Sequence, residues 1–304
     1  MEYGIFTKGE LNNNQYEFCV ISDLHIGCDD KEYSKSRNDY LFAEDGSPMT
    51  GEAFTLQKFC DNIKISGDKG LFRDGKHYLI LLGDVINGEY GYTKCYHSKA
   101  YTKLYEAIEP WLYTKNILYV VGNHDKSAHF YSDVAGFPRK SVIETIEENT
   151  RKDKMFSMCG IIFEHGHKFD YQCSGKNILG LLGDFASNVV ANYCSPKLED
   201  LLRGRDYYTD HSKDNEPNHN MKQTDIKSMS KDDRRIANGA LNLLSKQSRE
   251  FHTIICGHTH QTPVEVVVDD SGRVLTYYNT GKFAKGDVLN VVVQQDNFGR
   301  WHLI

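Results

Sequence analysis

The sequence predicts an α/β protein whose strands deliver polar side chains to one rim. Three observations carry this reading. Short apolar runs rich in β-branched and aromatic residues recur along the 304 residues. Helical patterns separate the early runs, as in an α/β layer architecture. And each run ends in a polar stretch containing glycine.

The elements follow in order. "YEFCVIS" (16–22) is the first predicted strand. "GEAFTLQKFCDNI" (51–63) has helical spacing and precedes the second strand, "HYLILLG" (77–83). "SKAYTKLYEAIEPWL" (98–112) is a helix before the third, "ILYVVG" (117–122). "GIIFEHG" (160–166) and "HTIICG" (252–257) are the fourth and fifth. Towards the C-terminus, 263–281 and 287–304 read as hairpins with turns at Asp-Asp-Ser-Gly and Asp-Asn-Phe-Gly, so antiparallel strands join late.

One domain is expected over 1–304, with a helical cap, 171–250, inserted between the fourth and fifth strands. In "KNILGLLGDFASNVVANY" (176–193), Ile178, Leu181, Leu182, Phe185 and Val189 recur at helical spacing. "SKDD" (230–233) resembles a capping box opening a second helix, with Ile236, Ala237, Ala240, Leu241 and Leu244 on one face. A polar segment, 204–225, links the two.

Bulk properties narrow the function. A formal net charge of −6 argues against a broad electrostatic footprint for nucleic acid. The eight cysteines include no C-x-x-C pair, and several sit inside apolar runs. That usage suits free thiols in a reducing compartment, so a cytoplasmic location is expected. The N-terminal stretch is polar and acidic, unlike a signal peptide. No apolar run approaches the ~18 residues of a transmembrane segment.

Chemistry concentrates where the strands end. The first is followed by Asp23 and His25, the second by Asp84 and Asn87, and the third by Asn123, His124 and Asp125. The fourth delivers His165 and His167, and the fifth His258 and His260. In α/β sheets, ligands bind outside the carboxyl ends of the strands. Taken singly, an Asp-x-His or Gly-Asp after a strand is ordinarily a capped turn. In "GNHD", a Gly-Asn turn explains the first half and leaves the His-Asp pair over. Five such endings, each carrying oxygen or nitrogen donors, form a metal-binding rim.

The series "SDLH", "GDVIN", "GNHD", "HGH" and "GHTH", spanning Asp23 to His260, resembles the calcineurin-like metallophosphoesterases. The resemblance implies a four-layer α/β/β/α sandwich in place of a single doubly wound sheet. It also implies two divalent metal ions. One would take Asp23, His25 and His260, the other Asn123, His165 and His258, and Asp84 would bridge them. A carboxylate suits bridging because each of its oxygens can face a cation. His165 is assigned over His167 because family members use the histidine directly before the glycine. Two ions sharing a water would activate it for in-line attack on phosphorus. His124 would be the general acid toward the leaving oxygen, with Asp125 orienting its ring. Mixed nitrogen and oxygen donors without thiolate suit Mn, Fe, Zn or Ni, with Mn favoured.

The motifs also rank substrates. Phosphoprotein phosphatases usually carry "GDxHG", "GDxVDRG" and "GNHE", where this chain has "SDLHIG", "GDVINGE" and "GNHD". It more closely resembles the diesterase, nuclease and pyrophosphatase branches. The insertion is similar to the cap of UDP-diacylglucosamine pyrophosphatases, although those often have Arg where this chain has His124. The expected substrate is therefore a phosphodiester or pyrophosphate: a nucleotide, a nucleic acid or a pyrophosphate-linked lipid. A nuclease is the first alternative, with Arg203, Arg205, Tyr207 and Tyr208 able to grip a phosphate and stack a base. A Ser/Thr protein phosphatase and a non-catalytic metal-binding scaffold follow. Scaffolds tend to lose ligands or the catalytic histidine, and here every expected position is filled.

Overall fold

The computed structural model describes residues 3–26, 51–87, 95, 99–125, 155–170, 222–259, 264–281, 283 and 287–304. Three strands, β1 (Gln15–Ile21), β2 (His77–Leu82) and β3 (Ile117–Val120), pair in parallel. On the other side of β1 lie two antiparallel strands, numbered last in the chain. They are β10 (Leu289–Gln295) and β11 (Trp301–Leu303). The first sheet therefore runs β11-β10-β1-β2-β3.

The second sheet is mixed. Its strands are β4 (Met155–Met158), β5 (Ile161–Glu164), β6 (Lys222–Gln223), β7 (Thr253–Cys256), β8 (Val264–Asp270) and β9 (Arg273–Asn279). They are ordered β4-β5-β7-β9-β8-β6, with β5, β7 and β9 parallel at the centre.

Side-chain alternation turns these sheets into layers. Phe163 of β5 meets Phe18 of β1 at 5.3 Å between ring centroids, in the core shared by the two sheets. Its neighbour Ile162 faces the opposite way, into a second core with Ile254 and Cys256. That core is closed by Ala237, Ala240, Leu241 and Leu244 of the third helix, α3 (Lys231–Ser245). The first two helices, α1 (Gly51–Asp68) and α2 (Lys99–Ile108), pack on the first sheet through residues such as Leu56, Ile63 and Leu104. Central strands buried on both faces explain why the sequence shows continuous apolar runs there.

Several local details differ from the expected pattern. The second helix was expected to reach residue 112, but its α-helical part ends at Ile108 and a 3-10 segment, Glu109–Thr114, follows. Pro110 accounts for this, since it has no N–H to donate and its ring crowds the preceding turn. The fourth strand has an unforeseen partner, β4. Cys159 (φ 52°) and Gly160 (φ 77°) make the tight turn between them, both left-handed as the favoured two-residue hairpin requires. The predicted turn after β8 stands at Ser271 and Gly272, again both left-handed.

Tyr101 and Tyr105, one helical turn apart, stack at 6.0 Å and are buried. In α3, the Ser230 hydroxyl accepts from the Asp233 amide as the helix N-cap. Within the insertion, 171–221 lies outside the described residues, and with it the predicted helix 176–193, Arg203, Arg205, Tyr207 and Tyr208. Cys19, Cys60, Cys95 and Cys256 are buried free thiols, and Cys159 is free and half-buried. Among the described residues, no helix is long and apolar enough to cross a membrane.

Candidate metal centre

Parallel pairing of β1 with β2 continues past the strands and brings the first donors together. The Asp23 amide donates to the Gly83 carbonyl at 3.1 Å, and the His25 amide to the Asp84 carbonyl at 2.8 Å. A bridge between Ile26 and Ile86 closes this extension. The β3 loop is then tied across it. The His124 amide donates to Asp84 Oδ1 at 2.9 Å, and the Val85 amide to Asp125 Oδ2 at 2.9 Å. Asp125 also accepts from the Gly122 amide and the Tyr119 hydroxyl, so its oxygens hold the loop and not the His124 ring they were expected to orient. The second sheet joins through His258, whose amide donates to Asp23 Oδ2 at 2.8 Å.

Two glycines make this approach sterically feasible. A Cβ on Gly122 would lie 2.1 Å from Asp84 Oδ1, and one on Gly257 would lie 2.3 Å from Ser22 Oγ and 2.6 Å from Asp23 Oδ2. The backbone is also unusual. Asp23, His25, Asp84 and His258 all have positive φ, at 57°, 50°, 51° and 73°. For residues other than glycine this costs of order 1 kcal/mol each, and such strain concentrates at functional sites. The conformation turns each side chain inward just beyond its strand.

The outcome is two groups of donor atoms, each within 4.8 Å of one another. One comprises His25, Asp84 and His124, the other Asp84, His165 and His258. Asp84 belongs to both. Its Oδ2 lies 3.1 Å from His165 Nε2, 3.8 Å from His25 Nε2 and 3.9 Å from His124 Nε2. Asp23 Oδ1 is 3.7 Å from His25 Nε2. A family model for calcineurin-like phosphoesterases matches residues 16–262 of this chain.

The chain belongs to the calcineurin-like phosphoesterase family. Its family chemistry is metal-dependent phosphoester hydrolysis, although some members are non-catalytic. Among curated proteins, none matches the chain.

The donor set of this family member fits cations. The Asn123 Oδ1 atom is buried and has no hydrogen-bond partner among the described residues, and His165 Nε2, equally buried, faces only the Asp84 carboxylate at 3.1 Å. Orphaned buried acceptors are costly, and a cation is what such atoms would satisfy. His165 is fixed for that purpose, because its Nδ1–H donates to the Leu82 carbonyl at 2.9 Å and its Nε2 is turned to Asp84, where a cation can take the place of its proton.

The electrostatics agree. Burial opposes a charged His165, but the Asp84 and Asp23 carboxylates with the hydrogen bonds push its imidazole up to about 10. Burial likewise opposes ionised Asp84, and the imidazoles of His165, His124 and His25 prevail, holding it well below the usual carboxylate range. Burial, with the Asp84 charge adding to it, lifts Asp125 to about 7 against the Tyr119 and Val85 hydrogen bonds. So the imidazole of His165 and the carboxylate of Asp84 stabilise each other's charged forms, with the second carboxylate, Asp23, adding to the effect on His165.

Other predicted residues fall nearby. His260 lies outside the described residues. The His167 ring sits 5.6 Å from that of His165, outside both donor groups. Asn87 is buried and its amide donates to the Ile26 carbonyl, bracing the loop. Burial pushes the Cys256 thiol well up, and the residue is part of the core. Two neighbours escaped the sequence reading: Tyr119, bonded to Asp125, and Asp170, beside His258. Tyr119 sits inside an apolar run and Asp170 beyond the "HGH" motif, so neither carried a signal.

Proposed function

We propose that this protein is a dinuclear metal-dependent hydrolase of phosphodiesters or pyrophosphates. The observation that carries the reading is the membership of Asp84 in both donor groups; the first also contains His124, read here as the acid, while Asp23 stands 3.7 Å from its His25. Two sites sharing one carboxylate suit a pair of ions rather than two independent structural ones. One ion would be held by Asp23, His25 and His260, the other by Asn123, His165 and His258, with Asp84 between them. When bound, such ions supply Lewis acidity toward phosphoryl oxygens and acidify an attacking water. Manganese fits the nitrogen and oxygen donors.

The chain's own residues do the rest. His124 is 9% exposed, its amide anchored to Asp84 and its ring 4.9 Å from that of His25. From there it serves as general acid, passing a proton to the departing oxygen. Asp125 fixes the loop that carries His124 by gripping the Val85 and Gly122 amides. The chain is read as a single domain in which α3, expected as part of a cap over 171–250, instead forms an outer core layer, and the free thiols accord with a cytoplasmic setting.

Hydrolysis of bis-p-nitrophenyl phosphate beside p-nitrophenyl phosphate, with Mn²⁺ supplied, tests this reading. Diester cleavage is expected, falling roughly 10²-fold in His124→Ala while bound metal is retained. Monoester cleavage alone would favour a phosphatase, and a metal-loaded protein inert toward both would favour the scaffold.

A further inference from the structure

His258 enters the centre differently from its neighbour His165. Its Nε2–H donates to Asp170 Oδ2 at 3.2 Å, and a neutral imidazole that donates from Nε2 keeps its lone pair on Nδ1. His165 has the opposite arrangement, with Nδ1–H on the Leu82 carbonyl. Two histidines of one donor group thus turn opposite ring nitrogens, Nδ1 of His165 and Nε2 of His258, to their outer partners. The His258 backbone is already fixed by its left-handed φ and by the bond from its amide to Asp23. What remains free is the ring, and Asp170 holds that.

Asp170 is itself held. It ends a 3-10 turn, His167–Phe169, and its amide donates to the His167 carbonyl at 3.1 Å. Its Oδ1 accepts from Arg235 Nη2 of α3 at 2.9 Å. Gly239, four residues after Arg235 and so on the same helix face, lies against Phe169; a Cβ there would be 2.9 Å from the Phe169 side chain. The outer helix therefore grips the turn at two adjacent places.

From this geometry we infer that Asp170, braced by Arg235, is a positioning residue that fixes His258 as an Nδ1 ligand of the site shared with Asp84 and His165. It acts through His258. The carboxylate orients the ring, and α3 becomes a support of the metal centre as well as a core layer. The inference rests on the dinuclear reading above.

Calorimetric titration of Mn²⁺ into metal-stripped protein tests it, with wild type, Asp170→Asn, Asp170→Glu and Arg235→Met compared. Wild type should bind two equivalents. Asp170→Asn keeps the side-chain shape and removes the charge, and should weaken one binding step roughly 10–100-fold while sparing the other. The melting temperature of its metal-free form should be unchanged, a result that a mere staple between turn and helix would not couple to a lost affinity. Asp170→Glu should restore part of the affinity, and Arg235→Met should weaken the same step by less. Two unaltered steps in Asp170→Asn would overturn the inference and leave the dinuclear reading intact. If Asp170→Asn does not fold, unaltered steps in both Arg235→Met and Asp170→Glu would overturn it instead. Wild type binding fewer than two equivalents would sink the dinuclear reading and this inference with it.

Discussion

Metal binding near pH 8 should release about one proton per chain from His165. The ordinary imidazole titrates near 6.5, whereas here carboxylate neighbours push His165 up to about 10. At pH 8 the metal-free ring is therefore charged, and a cation must displace its proton to use Nε2. Asp125, raised to about 7, is already ionised at that pH and does not confound the count. The apparent affinity of the site served by His165 should then rise about tenfold per pH unit from neutrality toward pH 10.

The sign for stability follows the same group. A raised histidine stabilises the metal-free fold fully below about 6.5, and that contribution is lost as pH rises through about 10. Metal-free protein should thus melt at lower temperature as pH climbs through this window. Calorimetry of metal binding in two buffers of different ionisation heat counts the protons directly. Identical heats, together with an affinity flat in pH, would show His165 neutral before metal arrives and refute the reasoning.

Three further outcomes are expected. Gly122→Ala places a Cβ 2.1 Å from Asp84 Oδ1 and 2.5 Å from its amide, so Asp84 must move. Diester turnover should fall by about 10²-fold or more, with weakened metal retention on dialysis. Tyr119→Phe removes the hydroxyl bonded to buried Asp125 and should cost about 1.5–3 kcal/mol in urea unfolding. Phe163→Ala empties the space between the sheets, where Phe18 and Phe156 lie at 5.3 and 5.8 Å, and should cost about 3–5 kcal/mol.

The rim of donors was legible because each metal donor stands two to four positions after the last apolar residue of a run, and strand ends are local features of sequence. The division into two sheets was not legible from periodicity. A strand such as Ile161–Glu164, buried on both faces, looks the same in one doubly wound sheet or in two stacked ones. Only the resemblance distinguished them. The left-handed backbone at Asp23, His25, Asp84 and His258 was equally hidden, since nothing in these residue types demands it. Tyr119 and Asp170 matter through contacts reaching across loops, and Asp170 depends on Arg235, 65 positions away. The early end of α2 was readable in principle, because Pro110 marks it.

The shared role of Asp84 is the centre of this account, and elemental analysis of Mn²⁺-loaded protein after gel filtration tests it most directly. Wild type should carry two manganese ions per chain, and Asp84→Asn, folded, should retain neither at full occupancy. An Asp84→Asn protein that keeps both ions, or loses only one, would contradict a carboxylate common to two metal sites.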